Sequence, residues 1–275
     1  MAAPILTRVG RYRLGEELGA GANGVVRRAT ADDGTEVAVK LLRAADAVES
    51  AAGRRFLREA RIAAEIDSPH VVRILDSGQE AGCAYIVLPL YRDGSLAARL
   101  LQHGRLALDE TARLAAQLGK GLDALHERGI VHRDVKPSNV LLDGELAALA
   151  DFGLARGIES TRLTGDGQLL GTAYYLAPEV IEGEDAGKPS DVYALGCVLY
   201  ECLVGEPPFT GRSAAELAFG HLVEPPPDPR ERRPGLPADA GFALLTALAK
   251  SPSDRPTSGT ALARMLHLAR TPRPS

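Results

Sequence analysis

The chain has 275 residues, 45% of them hydrophobic and 25% charged, and carries a net charge of −4. That length gives ample core for two lobes or one large domain, and mild acidity points to neither nucleic acid nor an anionic membrane as the main partner. The three cysteines, Cys83, Cys197 and Cys202, are too few and odd in number for a disulfide framework, so a reduced, cytosolic setting is expected.

Met1 to Gly10 lacks the basic start and long apolar stretch of a secretory signal. From Tyr12 the pattern is strand-like and runs into Gly19-Ala20-Gly21-Ala22-Asn23-Gly24. A lone G-x-G-x-x-G fits any glycine-rich hairpin, so its context decides. A dinucleotide-binding fold would open a helix directly after the glycines. Here Val25-Val26, the turn Asp32-Asp33-Gly34 and Glu36-Val37-Ala38-Val39 read as strand, turn and strand. The glycines therefore sit at a hairpin tip, where backbone N–H groups can approach phosphate oxygens closely. In the next strand, alternation sets Val37, Val39 and Leu41 on one face and Ala38, Lys40 and Leu42 on the other.

Residues 54–66 have helical periodicity, with Glu59 on the side of Phe56, Ile62, Ala63 and Ile66. An acid there is costly unless paired, and Lys40 is the obvious partner. Residues 71–75 and 84–88 read as two further strands, followed by Pro89-Leu90-Tyr91-Arg92-Asp93. Asp109 is the expected N-cap of a long amphipathic helix through Arg128, stopped by Gly129.

That helix delivers the chain to His132-Arg133-Asp134-Val135-Lys136-Pro137-Ser138-Asn139, with Asp151-Phe152-Gly153 twelve residues later. Apolar runs on both sides demand burial, so the polar segment is a loop held rigidly by the core. Asp134 and Lys136 are close enough to act on the same reacting atoms. Asn139 and Asp151 are hard oxygen ligands suited to magnesium. A base, a cation and two metal ligands are the parts of a phosphoryl-transfer site.

This segment resembles the catalytic loop and the metal-binding Asp-Phe-Gly segment of eukaryotic-type protein kinases, and Lys136 gives it the serine/threonine form. The resemblance, to the bacterial eukaryotic-like (Hanks-type) serine/threonine kinases, covers about Tyr12 to Arg270. It implies an α+β, two-lobed protein kinase fold: a small antiparallel β-sheet lobe with one regulatory helix, and a larger, mainly helical lobe. On this reading the kinase domain spans 12–270, with the first lobe at about 12–88, the hinge at 89–93, the second lobe at 94–270, and a tail or linker start at 271–275.

The resemblance also implies roles. Asp134 accepts or orients the substrate hydroxyl, Lys136 neutralises the transferring phosphoryl group, and Asn139 and Asp151 hold magnesium. Lys40, oriented by Glu59, meets the phosphates of ATP. Gly19, Ala20, Gly21, Ala22, Asn23 and Gly24 cover them, Val26 and Ala38 pack on the base, and Leu88 limits the pocket. Family members commonly carry Glu where Pro89 stands. The departure is tolerable if that position offers only its carbonyl, with the N–H to adenine coming from Tyr91. His132, beside an apolar run, is expected to pack and fix the loop rather than act as a base.

Gly171-Thr172-Ala173-Tyr174-Tyr175-Leu176-Ala177-Pro178-Glu179 resembles the substrate-binding loop of these kinases. Thr172 is expected near Asp134 and Lys136, and Glu179 paired with Arg255. Arg133 would leave an unmatched charge that phosphorylation of Ser160, Thr161 or Thr164 could meet, the two threonines first, with Asp166 supplying part of it.

Asp191 opens a buried helix through Val204 and is expected to hold the catalytic loop from beneath. Glu201 interrupts that apolar run, which is too short to cross a bilayer. Ser213-Ala214-Ala215-Glu216 reads as a capping box, the proline-rich stretch 224–237 as a stiff inter-helix loop in preference to an SH3-type ligand, and helices close the lobe at about 238–250 and 258–269.

The expected activity is transfer of the γ-phosphoryl group of Mg-ATP, with manganese as the alternative cation, to Ser/Thr hydroxyls of proteins and first to the chain itself. A pseudokinase would have lost Lys40, Asp134, Asn139 or Asp151, and a small-molecule phosphotransferase would lack the Gly-Thr-x-x-Tyr and Ala-Pro-Glu elements. Expected partners are protein substrates and a second copy of the chain for trans-autophosphorylation, with no nucleic acid and no membrane span. The expected setting is cytoplasmic, alone or as the cytoplasmic part of a longer membrane-anchored protein.

Overall fold

Alternating apolar residues in the first part of the chain build an antiparallel sheet, and longer 3.6-periodic runs build the helices that follow. A computed structural model describes residues 6–21, 24–41, 64–80, 83–152 and 172–270. The chain divides into two compact units, one mainly within Met1–Asp67 and Val72–Arg92, the other mainly within Ser68–Val71, Asp93–Gly153 and Ile158–Ser275.

In the first unit β1 (Arg8–Val9), β2 (Tyr12–Gly21), β3 (Gly24–Ala31), β4 (Glu36–Leu41), β5 (Asp76–Glu80) and β6 (Cys83–Pro89) form one sheet in the order β1-β2-β3-β4-β6-β5. All pairings are antiparallel. Val9, Tyr12, Leu14, Ala29, Val37, Val39, Tyr85 and Val87 pack as the core on one face, with Leu41 against it. Register shifts in β2 on either side of Glu17 are the bulges that bend a strand and increase its twist.

The strand expected at 71–75 lies instead at Asp76–Glu80. Val71, Val72 and Ile74 are buried, but Val71 makes only an isolated bridge, to Leu149. The ladder forms on the polar run Asp-Ser-Gly-Gln-Glu because an edge strand needs backbone pairing and few apolar side chains.

The second unit is mainly helical, with α1 (Leu96–His103), α2 (Leu108–Glu127), the hairpin β7 (Val140–Asp143) and β8 (Leu146–Leu149), α3 (Pro178–Ile181), α4 (Lys188–Val204), α5 (Ala214–Leu222), α6 (Pro229–Arg232), α7 (Ala238–Ala247) and α8 (Gly259–Leu268). Almost every residue of α4 from Ser190 to Leu203 is buried, so the other helices pack around it. It begins at Lys188, before Asp191, because Pro189 fits the first turn, where no N–H is needed. Gly205 ends it with φ 99°.

Asp109 is not the N-cap of α2. That position is Ala107, without a side-chain bond. Asp109 lies in the first turn, where a carboxylate favours the helix dipole, and Arg270 Nε donates to its Oδ1 at 2.6 Å. The Ser213 hydroxyl caps α5 by accepting from Glu216 N at 3.2 Å, but the Glu216 carboxylate reaches past it and accepts from Arg212 N at 2.8 Å. The proline-rich stretch folds as a tethered loop. Asp228 caps α6, and Arg233 Nη1 donates to the carbonyls of Leu106 at 2.6 Å and Leu203 at 2.7 Å. Among the described residues no helix is long and apolar enough to cross a membrane.

Candidate active site

In the first unit, residues facing each other across an antiparallel ladder share a face. Val26 pairs with Lys40 and Gly19 with Val26, while Ala38 pairs with Leu88 and with Arg28. Gly19, Val26, Ala38, Lys40 and Leu88 therefore lie on one face of the sheet, opposite the core. Ala38 and Leu88 are buried, and Lys40 is only 5% exposed. A side chain added at Gly19 would meet nothing within 4 Å, so the face is open beside Val26. Ala20 pairs with Val25, and Gly21 with Gly24, at the glycine-rich tip. Pro89 pairs with Val37 at the end of β6, where its missing N–H does least harm to the ladder. Tyr91 follows, half-buried.

In the second unit the loop of residues 132–139 hangs from one buried carboxylate. Asp191 Oδ2 accepts from His132 N at 2.8 Å, and its Oδ1 accepts from Arg133 N at 2.9 Å. Arg133 has φ 68°, a left-handed conformation that costs a non-glycine residue energy and persists when the surroundings fix it. His126 Nε2 on α2 lies 2.7 Å from the same Asp191 Oδ2. His126 is a site residue the sequence reading missed.

Asp134 has its two oxygens in different states. Oδ2 receives Lys136 Nζ at 2.9 Å and Asn139 Nδ2 at 3.0 Å. Oδ1 is buried and makes no hydrogen bond among the described residues. Lys136 Nζ also donates to Thr172 Oγ1 at 3.0 Å, so three of the expected catalytic residues form one chain. Asn139 Nδ2 further donates to the Asp134 carbonyl at 2.8 Å, which turns its amide oxygen the other way. His132 is fully buried, stacks edge-on against Phe152, and accepts from Asp134 N at 3.3 Å. Burial pushes its pKa down against the pull of Asp191, Asp134 and Asp151, so it serves as neutral packing for the loop.

The hairpin sets the remaining pair. Val140 faces Leu149, and Ala150 N donates to the Asn139 carbonyl at 2.8 Å. The ladder thus brings Asn139 and Asp151 (φ 60°) to its same end. An amide and a carboxylate oxygen suit a hard divalent cation. Among the described residues no three His, Cys, Asp or Glu side chains cluster to hold a metal alone, so phosphate and water oxygens would complete such a shell.

Arg133, Asp134, Thr172, Tyr175, Leu176 and Val180 contribute to the lining of a cleft. Its floor is pinned twice. Arg255 makes a buried two-pronged pair with Glu179, at 2.7 and 2.8 Å, and Ser190 Oγ donates to Glu179 Oε1 at 2.7 Å. Burial alone would push the Glu179 carboxyl up, but the bonds from Arg255 and Ser190 outweigh it and hold the pKa low. Tyr175 OH donates to Glu201 Oε2 at 2.6 Å, which accounts for an acid inside α4. Burial raises the Glu201 pKa, and the Tyr175 bond only partly offsets that.

Ala22, Asn23, Glu59 with its helix at 54–66, and the segment carrying Ser160, Thr161, Thr164 and Asp166 lie outside the described residues.

Over residues 12–266 the sequence matches the protein kinase domain family. It is 38% identical over 263 residues to the serine/threonine-protein kinase PknH of Mycobacterium tuberculosis, covering 94% of this chain and 42% of that protein. It is 43% identical over 270 residues to the DNA damage-responsive serine/threonine-protein kinase RqkA of Deinococcus radiodurans, covering 95% and 40%. To the serine/threonine-protein kinase PknB of Mycobacterium leprae it is 40% identical over 253 residues, covering 89% and 40%. The chain thus spans less than half the length of these relatives. The crystal structure of the Mycobacterium tuberculosis PknI kinase domain superposes with a TM-score of 0.74 at 28% identity, covering 97% of this chain and 100% of that one. The chain therefore belongs to the protein kinases, with their two-lobed α+β fold, and is a serine/threonine kinase domain of the bacterial eukaryotic-like kind, a family that acts on proteins with ATP and a divalent cation.

Proposed function

We propose that this chain transfers the γ-phosphoryl group of Mg-ATP to Ser and Thr hydroxyls of proteins, including its own Thr161 or Thr164. The observation that carries this reading is the division of labour on Asp134. Its Oδ2 is held by Lys136 and Asn139, while Oδ1 has no partner among the described residues. A carboxylate fixed through one oxygen is a preorganised acceptor at the other. Oδ1 takes the hydrogen bond, and then the proton, of the incoming hydroxyl.

Lys136, steadied by Thr172, meets the charge that develops on the transferring group. Asn139 and Asp151 are the residues that would hold magnesium, or manganese in its place. When bound, the ion would neutralise phosphate charge. Val26, Ala38 and Leu88 would receive the adenine, with the Pro89 carbonyl and Tyr91 N–H on its polar edge and Lys40 on the phosphates. Residues Gly19 to Gly24 would cover them. In lobe terms, the first unit with a hinge at 89–93 handles nucleotide, and the second handles protein.

The Arg133 side chain is exposed and makes no ion pair among the described residues, which favours a phosphorylated threonine of the chain as its partner. Transfer between two copies is the expected route, in the cytoplasm, where the three free cysteines stay reduced.

The test is phosphate incorporation after purified protein meets Mg-ATP, beside Asp134→Asn, with the labelled sites mapped by mass. Label on Thr161 or Thr164 that vanishes in Asp134→Asn is expected. Equal label in both proteins would overturn the role of Asp134. ATP binding without label in either would move the reading to a pseudokinase.

A further inference from the structure

The β7–β8 hairpin carries Asn139 and Asp151 at one end, and a two-stranded hairpin by itself is marginal in water. Its β7 edge is fixed by main chain. Asp93 N donates to the Leu142 carbonyl at 3.1 Å, and Leu142 N to the Gly94 carbonyl at 2.9 Å. The β8 edge has no strand beside it among the described residues, only the isolated bridge of Val71 with Leu149. Ala147, Ala148 and Leu149 are nonetheless 0% exposed, so the backbone groups there need protein partners.

Two residues supply them. The Gln117 amide, on α2, donates from Nε2 to the Glu145 carbonyl at 2.8 Å and accepts at Oε1 from Ala147 N at 2.7 Å. A peptide unit of a neighbouring strand would pair in the same way. His70 continues the line. Its Nδ1 lies 3.1 Å from the Ala147 carbonyl, which can only accept, so the ring hydrogen sits on Nδ1. Its own carbonyl accepts from Leu149 N at 2.9 Å. Glu145 O, Ala147 N, Ala147 O and Leu149 N are thus satisfied in succession by one side-chain amide and one histidine. A Cβ at Gly121 would lie 2.5 Å from the His70 carbonyl oxygen, so α2 also presses directly on the His70 backbone. Leu149 stands two positions before Asp151, and this edge therefore runs up to the carboxylate's own segment.

We propose that Gln117, with His70 beside it, is a positioning residue for the divalent cation: its amide stands in for a third strand and fixes where β8 lies, and with it the place of the Asp151 carboxylate relative to Asn139. This rests on the reading of Asn139 and Asp151 as the residues that hold magnesium. Gln117 is not one of the nucleotide residues, so its loss reaches ATP only through the cation.

The test is calorimetric binding of ATP to the purified chain, once with excess magnesium and once with EDTA. The ratio of the two Kd values measures what the cation contributes. One hydrogen bond corresponds to about a two- to tenfold change in affinity. Gln117→Met, of similar length but without either bond, is expected to shrink the ratio by that factor and to leave the EDTA value within about twofold. Gln117→Glu, which still accepts from Ala147 N, is expected to recover at least half of the loss. An unchanged ratio in Gln117→Met, or ATP affinity lost equally with and without magnesium, would overturn the proposal. If Gln117→Met does not fold, His70→Leu removes the adjoining bond and is expected to shrink the ratio as well. No change there would equally overturn it. Asp151→Ala separates the two readings. If it abolishes the magnesium effect while Gln117→Met and His70→Leu retain it in full, only the positioning role fails. If it leaves the magnesium effect intact, the metal reading falls and the positioning role with it.

Discussion

His126 and Asp191 come from different helices, 65 positions apart, and meet at 2.7 Å in the buried interior. The same carboxylate carries the backbone N–H groups of His132 and Arg133. Loop geometry, including the left-handed Arg133, thus depends on one side chain below it. Asp191→Asn replaces one acceptor oxygen by an NH2 group that cannot accept. Leaving a buried donor unsatisfied costs about 1–3 kcal/mol. Steady-state kinetics should show kcat reduced about tenfold or more, with ATP KM little altered, since misplacing a reacting group by a fraction of an ångström is amplified in rate. A wild-type kcat would dismiss the dependence.

The Glu179–Arg255 pair is stability rather than chemistry. Breaking a buried pair by removing one partner costs about 3–5 kcal/mol, and Glu179→Ala should lower stability in urea unfolding by that amount at pH 7. The Glu179 pKa is held low in the folded chain, so the unfolded chain binds the proton more readily. Its stabilisation is fully present above the ordinary carboxylate pKa and is lost as pH falls through the folded one. The gap between parent and variant should therefore narrow in acid.

His221 gives a second pH signature of defined window. Its folded pKa is about 3 against an ordinary 6.5, so between those values the unfolded state holds more protons. Stability from the neutral ring is present above pH 6.5 and lost on acidification toward pH 3. The ring lies fully buried on α5 against Phe209, with the Tyr193 hydroxyl 2.7 Å from its Nδ1 and Lys250 Nζ bonded to the His221 carbonyl. In melts from pH 7 to 4, His221→Leu should lose less Tm than the parent. Parallel curves would count against a buried neutral ring.

Gly119 of α2 meets Gly259 of α8 backbone to backbone. A Cβ at Gly119 would lie 2.6 Å from the Gly259 carbonyl oxygen. Alanine is the better helix former by about 1 kcal/mol, but overpacking against rigid backbone costs about 1–3 kcal/mol. Gly119→Ala should therefore be neutral to destabilising, while exposed Lys120→Ala on the same helix stays within about 0.5 kcal/mol. A Gly119→Ala variant more stable than the parent would show that the helices can slide apart.

What the sequence discloses is local chemistry on a rigid loop. Asp134, Lys136 and Asn139 stand within a few residues, so their meeting needs no knowledge of the rest of the chain. The face on which Lys40 lies is legible because strand alternation has a fixed period. The Glu179–Arg255 pair came through family resemblance, since nothing local joins positions 76 apart. The bonds of His126 and His221 are not legible, because a histidine inside a helix gives the same signal whether it carries a hydrogen bond or merely fills space. β5 was displaced because edge pairing is decided by a neighbour's free backbone, and its own residues look like a turn. Asp109 reads as a cap because a capping residue and a first-turn acid are chemically alike.

The β7–β8 hairpin works as a caliper. Its turn places Gly144 (φ 60°) at the first of two linking positions, the glycine preference of a tight reversed turn, and Gly144 N is held by Asp93 Oδ2 at 2.7 Å. The jaws hold Asn139 and Asp151, while the pivot lies at the far end, exposed. Additional residues at the pivot lengthen only the handle. A single residue inserted in either arm flips every side chain beyond it to the opposite face and parts the two oxygen donors. Insertion scanning across this element should therefore yield active enzymes at the tip and inactive ones along the arms, which makes Gly144–Glu145 the natural place to splice in a reporter without touching the chemistry.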